Sequence, residues 1–227
     1  MIDPVSDTPS PNFEPRARGL PIDMLVLHYT GMESAGHALD RLRDPKAKVS
    51  AHWMIDEDGT VYRLVDESQR AWHAGVARWR GESDINGRSV GIELVNPGHE
   101  FGYRPFPEAQ MRALEVLAAD ILERHPIPPR NVVGHSDVAP PRKTDPGELF
   151  DWARLASRGI GLWPGKWEAT ETSADGLVRM LDQWGYDVND AEAALRAFQR
   201  HFRPTRIDGK ADAETAGRLA ALLAAVS

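Results

Sequence analysis

The chain has 227 residues and a formal net charge of −7, with Lys+Arg 27 against Asp+Glu 34. That acidic balance argues against a protein that tracks nucleic-acid phosphates through a basic face. Its 41% hydrophobic share excludes wholesale disorder, and no stretch reaches the ~20 apolar residues that span a bilayer. With Cys 0, thiolate-held zinc, iron–sulfur clusters and thiol nucleophiles are excluded, and a lipidated N-terminal cysteine is not expected. Any metal must be held by His, Asp or Glu.

In chain order, residues 1–19 carry four prolines and scattered acids, without the basic start and apolar core of a secretory signal. They read as a flexible lead-in. Met24–Tyr29 is an apolar run that predicts a buried strand. Ser34–Arg43 reads as a helix capped by Ser34 and stopped before Pro45. Ala51–Ile55 and Thr60–Val65 flank an Asp58-Gly59 pair, a hairpin signal. Arg70–Arg80 is too irregular to assign. Arg88–Leu94 predicts a further strand, ended by Asn96-Pro97-Gly98. Glu108–His125 is the clearest helix, with Met111, Leu114, Leu117, Ala118, Ile121 and Leu122 recurring on one face. Asn131–His135 predicts a short strand, and Phe150–Ala156 a short helix.

Strands interspersed with helices predict an α/β or α+β unit over 20–160, with the sheet order left open. Residues 161–172 read as a linker. Residues 173–227 carry no strand signal and predict helices at Ser173–Trp184, Asp190–Phe202 and Asp212–Val226, a small three-helix bundle marginal on its own.

Eight histidines are present, and two stand apart by position. His28 and His135 each close an apolar strand, where side chains of adjacent strands converge at one sheet edge. Asp145 follows His135 by ten residues in a proline-stiffened loop. Two imidazoles and a carboxylate make a sufficient zinc set with a position left for water. Glu93 is a charged residue inside the apolar strand Val90–Val95. It reads either as a solvent-facing position or as a base ready to take a proton from a metal-bound water. Gly134-His135-Ser136-Asp137-Val138 approaches the nucleophile elbow of serine hydrolases, but Val138 stands where a glycine is needed, so a Ser136 nucleophile is a minor alternative.

Five ordered segments carry a family resemblance: Val26-Leu-His28-Tyr-Thr30, Ser50-Ala-His52-Trp53, Ala71-Trp-His73-Ala-Gly75, Ser89-Val-Gly-Ile-Glu93, and His135 followed by Lys143-Thr-Asp145-Pro-Gly147. Together they resemble the type 2 N-acetylmuramoyl-L-alanine amidases, zinc enzymes of the peptidoglycan-recognition-protein fold. Ala194–Phe202 and Asp208–Thr215 are similar to a three-helix peptidoglycan-binding domain. The resemblance implies an α/β fold, a mixed central β-sheet with helices on its faces, plus the C-terminal bundle. It also implies Zn²⁺ on His28, His135 and Asp145, with Glu93 and Lys143 flanking the water.

The reaction implied is cleavage of the amide between N-acetylmuramic acid and L-alanine of the stem peptide. His52, Trp72 and His73 match positions near the cleft and are expected to contact substrate or support the site. Trp79 could stack on a sugar, and Arg78, Arg80, Arg88 and Arg142 could give the cleft a basic rim. His37, His99, His125 and His201 read as surface residues. The expected partner is a muropeptide or peptidoglycan, with no nucleic acid and no membrane, the chain acting as a monomer. Lacking a leader, the chain is expected in the cytoplasm, acting on soluble 1,6-anhydro-muropeptides; the alternatives are an exported wall amidase and a non-catalytic binding module.

Overall fold

The protein is described by a computed structural model covering residues 5–226. Its first segment corrects the reading of a flexible lead-in; residues 1–4 of that segment lie outside the described residues. β1 (Val5–Asp7) pairs in parallel with Val61–Arg63, and β2 (Phe13–Pro15) pairs antiparallel with Gln69–Ala71. Between them Asn12 is buried, and its side-chain amide donates to the carbonyls of Leu42, Asp44 and Val49. Arg16 donates to the carbonyls of Glu67, Asn86, Gly87 and Ser89. Proline lowers helix and central-strand propensity, but it is tolerated on edge strands such as these.

β3 (Met24–Tyr29) and α1 (Ala35–Arg43) follow as expected, the Ser34 side chain accepting from the His37 N–H. β4 (Trp53–Ile55) and β5 (Val61–Arg63) form the predicted antiparallel hairpin, with Gly59 at φ 91° in its turn. β6 (Gln69–Ala71) lies in the stretch that carried no pattern, because its partner is β2 and not a neighbour in sequence. Then come α2 (Ile85–Arg88), β7 (Ser89–Leu94), α3 (Gly98–Phe101), α4 (Glu108–Arg124) and β8 (Val132–Gly134). The predicted last strand ran to His135; instead His135 opens α5 (His135–Val138), whose Asp137 side chain accepts from the Gly134 N–H. α6 (Trp152–Ser157) and the bundle helices α7 (Ala174–Trp184), α8 (Ala191–Phe202) and α9 (Ala213–Ala224) complete the chain. Ser173, Asp190 and Asp212 cap the last three, each accepting from a first-turn N–H.

The main sheet runs β1-β5-β4-β7-β3-β8, mixed, with β4–β5 its antiparallel pair. Alternation along β3 divides the core. Leu25 and Leu27 point to the face covered by α4, with Val90, Ile92, Met111, Leu114, Leu117 and Ile121. Met24 and Val26 point to the other face and share one apolar cluster with Trp79, Leu177, Leu181, Trp184, Phe198 and Leu219. The bundle thus closes one end of that face. α1 closes the other, Ala38 and Leu42 packing on Met54 and Val95. Between them an open strip remains over β3 and β7.

Candidate metal centre and active site

Sheet register places the candidate residues on that strip. His28 pairs with Glu93 across β3 and β7, and Leu27 pairs with Gly134 across β3 and β8, so His135 follows next in the same row. Glu93, His28 and His135 therefore stand side by side at the carboxyl ends of three parallel strands. Asp145 reaches the row because the Ser136 N–H bonds the Asp145 carbonyl at 2.9 Å. Gly134 permits this approach: a Cβ there would meet Pro146 Cδ at 2.7 Å.

Three donor atoms face one point. His28 Nδ1 lies 2.9 Å from His135 Nδ1, and Asp145 Oδ2 lies 3.1 Å from each of them. All three residues are buried. Tetrahedral zinc, with bonds of about 2.0–2.1 Å, sets its ligands about 3.3 Å apart, so the triangle fits a metal ion. The second ring nitrogens are occupied: His135 Nε2 is 3.0 Å from the Ala74 carbonyl, and His28 Nε2 is 3.0 Å from His73 Nδ1. The Ala74 carbonyl can only accept, so His135 carries its proton on Nε2 and turns a bare lone pair inward. Burial, and then His135, pulls the His28 imidazole down to about 4. Burial alone would raise Asp145, but His135 and His28 outweigh it and hold the carboxyl well below the usual range. Lone pairs and a carboxylate converging in a buried site call for a cation.

Glu93 does not face open solvent as an ordinary strand position would. Its Oε2 is buried with no hydrogen-bond partner, and the residue lines the cleft with His135, Asp145 and Lys143. Burial, then the nearby Asp145, pushes its carboxyl well above the usual range, with Lys143 opposing. A carboxyl so raised takes up a proton more readily than a free one, which suits proton transfer. The cleft has a volume of about 390 Å³ and runs from this row to α1, past Trp72 and Arg142 to Arg41.

Other expected residues fall differently. Trp72 and His73 line the cleft, but His52 has no exposed surface. Its Nδ1 accepts from the Gly91 N–H and its Nε2 meets the Gln69 carbonyl, so it ties strands together and cannot touch substrate. Trp79 is 1% exposed and bonds Asn131 Oδ1, which removes it from sugar stacking. Arg78 and Arg80 lie beside the end of α7, and Arg88 is paired with Asp23. The cleft's cations are Arg41, Arg142 and Lys143. Arg41 was missed; its spacing from Ala38 and Leu42 on α1 was the available signal. His201, read as surface, is buried, stacked 3.7 Å from Trp152, with Nδ1 2.7 Å from Asp137 Oδ2. His125 is part-buried against Glu67 at 2.6 Å. Ser136 is buried within α5.

Both the sequence and the fold are similar to those of known proteins. The N-acetylmuramoyl-L-alanine amidase family model matches residues 18–148. N-acetylmuramoyl-L-alanine amidase AmiD of Escherichia coli (strain K12) is 40% identical over 89% of this chain and 82% of that protein. The 1,6-anhydro-N-acetylmuramyl-L-alanine amidase AmpD of Haemophilus influenzae is 35% identical over 65% of this chain and 88% of its own length. A solved complex of E. coli AmiD with the substrate anhydro-N-acetylmuramic acid-L-Ala-D-gamma-Glu-L-Lys superposes with a TM-score of 0.83. It shares 39% identity and covers 92% of either chain.

Proposed function

The chain belongs to the N-acetylmuramoyl-L-alanine amidase family, and from that premise we propose that it hydrolyses the amide between 1,6-anhydro-N-acetylmuramic acid and the L-alanine of a stem peptide. The observation that carries this is the buried His28–His135–Asp145 triangle beside the unpartnered Glu93 Oε2. The anhydro form is favoured by the substrate in the AmiD complex and by the name of the AmpD relative.

In this reading His28 Nδ1, His135 Nδ1 and Asp145 Oδ2 hold Zn²⁺. Bound there, zinc would acidify a water and polarise the scissile carbonyl. Glu93 takes a proton from the attacking water and returns it to the departing alanine nitrogen, leaving a carboxylic acid and a free amine. Lys143 offsets the charge that develops on the carbonyl oxygen. Arg41, Arg142 and Lys143 make the cleft locally basic in a chain of net charge −7, which suits the carboxylates of a stem peptide. Residues 20–160 act as the catalytic domain, and 173–227 as a peptidoglycan-binding-like domain that also completes the core.

The purified protein is expected to hold about one zinc per chain and to lose activity to a strong chelator. Full activity after verified metal removal would end the metal reading. Peptide release from soluble anhydro-muropeptides is expected to outpace release from intact sacculi, compared per amide bond, by a margin that shrinks as salt rises. Efficient digestion of sacculi with little turnover of soluble fragments would instead favour an exported wall amidase. The soluble substrate goes with a cytoplasmic location, which fractionation of cells expressing the untagged full-length chain tests.

A further inference from the structure

The metal ligands of this site are themselves held by a second set of groups, and their hydrogen bonds have only one consistent direction. The chain of contacts ends at the Ile85 carbonyl, which can only accept. The Ser89 hydroxyl donates to it at 2.6 Å, so its oxygen is left to accept from a neighbour. That neighbour is His73 Nε2, 3.0 Å away. His73 therefore carries its proton on Nε2 and presents a bare Nδ1 to His28 Nε2, also 3.0 Å away. His28 must donate there, which leaves His28 Nδ1 bare and facing His135 Nδ1 and Asp145 Oδ2.

Two more features point to a built support. β7 carries glycine opposite the His73 ring: a Cβ at Gly91 would meet His73 Cγ at 2.5 Å and Nδ1 at 2.7 Å. No positive φ is recorded at Gly91, so the space for the ring is what an alanine there would take away. In addition, Asn86 Oδ1 accepts from the backbone N–H groups of both His73 and Ala74, at 3.1 and 2.8 Å. Ala74 supplies the carbonyl that faces His135 Nε2. One pinned dipeptide thus faces both histidines, His73 through its ring and Ala74 through its carbonyl.

We propose that His73 and Ser89 are positioning residues that lock His28 in the tautomer whose Nδ1 can bind a metal, through the relay His28 Nε2–H to His73 Nδ1, His73 Nε2–H to Ser89 Oγ, and Ser89 Oγ–H to the Ile85 carbonyl. This rests on the metal reading of the site. It assigns His73 to the support of a ligand and not to substrate contact. Ser89, fully buried and itself outside the cleft lining, acquires a role in metal affinity.

The test measures Zn²⁺ affinity of the full chain by competition with a chromophoric chelator, with folding of each variant checked by circular dichroism. His73→Phe keeps a ring of similar size without the acceptor, and is expected to weaken zinc binding by about 10- to 100-fold. Ser89→Ala is expected to weaken it by about tenfold, and Ser89→Thr, which keeps the hydroxyl, to bind zinc much as the wild type does. Wild-type affinity in both His73→Phe and Ser89→Ala would overturn the relay. Failure of the wild-type chain itself to bind zinc would overturn the site reading beneath it, so the two failures are distinct. Should either variant not fold, imidazole ¹⁵N spectra of the wild-type protein decide: a proton on His73 Nε2 supports the relay, and one on Nδ1 overturns it.

Discussion

Glu93 shows how much one residue owes to its neighbours across the sheet. In sequence it is a charge in an apolar strand; in the structure it stands opposite His28 with one oxygen buried and unbonded. Glu93→Gln is expected to keep zinc and fold while lowering kcat by about 10² or more. Asp145→Ala is expected to lose the metal instead, and metal content measured alongside rate separates the two. A near-wild-type rate for Glu93→Gln would return Glu93 to the role of an ordinary strand residue. The same substitution has a signature in the metal-free protein. Because burial raises the Glu93 pKa above its unfolded value near 4.5, the folded state binds the extra proton and loses stability as pH rises through the folded pKa. Metal-free Glu93→Gln is therefore expected to be more stable than wild type at pH 8 and no more stable at pH 4, read from urea unfolding at the two pH values. His73 and His52 make the complementary point. Both have neighbours that only tertiary pairing supplies, and both imidazoles are driven well below their ordinary value mainly by burial.

At the scale of elements, those with an internal pattern were legible, and those defined by a partner were not. β3, α1, β7, α4 and the three bundle helices carry their own periodicity and caps, so their sequence marks both existence and ends. β1, β2 and β6 have three residues each and exist because each finds a strand elsewhere. The N-terminal strip is tied down by Arg16, whose guanidinium serves four carbonyls, that of Glu67 and those of Asn86, Gly87 and Ser89 along α2 and the start of β7. Burial draws its pKa down to about 10, still far above neutrality, so it remains charged at physiological pH. Arg16→Ala is expected to cost about 2–4 kcal/mol of unfolding free energy, since it strands partly buried carbonyls next to the His73–Ser89 support. A change under about 0.5 kcal/mol would show that the strip is held by its strands alone.

For the whole molecule, the question is what the C-terminal bundle contributes. Its Leu177, Leu181, Trp184 and Phe198 share a cluster with Met24, Val26 and Trp79 under the sheet. Its Tyr186 hydroxyl donates to Asp137 Oδ1 at 2.6 Å, and His201 Nδ1 meets Asp137 Oδ2 at 2.7 Å. Asp137 Oδ2 also accepts from the Gly134 N–H, immediately before His135, so the bundle touches the frame of a candidate metal ligand. Deleting residues 170–227 is expected to lower both thermal stability and activity on small muropeptides, because it bares that apolar face and removes two of the partners of Asp137. A stable, fully active remnant would show the bundle to be an independent appendage.

The sequence by itself determined the class of chemistry and the parts. An absence of cysteine limits the donors to His, Asp and Glu, apolar runs mark the strands near whose ends His28 and His135 fall, and helical periodicity marks α4 and the bundle. These follow from local rules, since side-chain chemistry and periodicity act over a few residues. The tertiary structure decided which parts meet. Register put Glu93 beside His28, packing buried His52, Trp79 and His201, and α1 brought Arg41 into the cleft. Each of these depends on contacts between residues far apart in the chain, whose free energy is realised only when the whole core closes. No local pattern can carry that information.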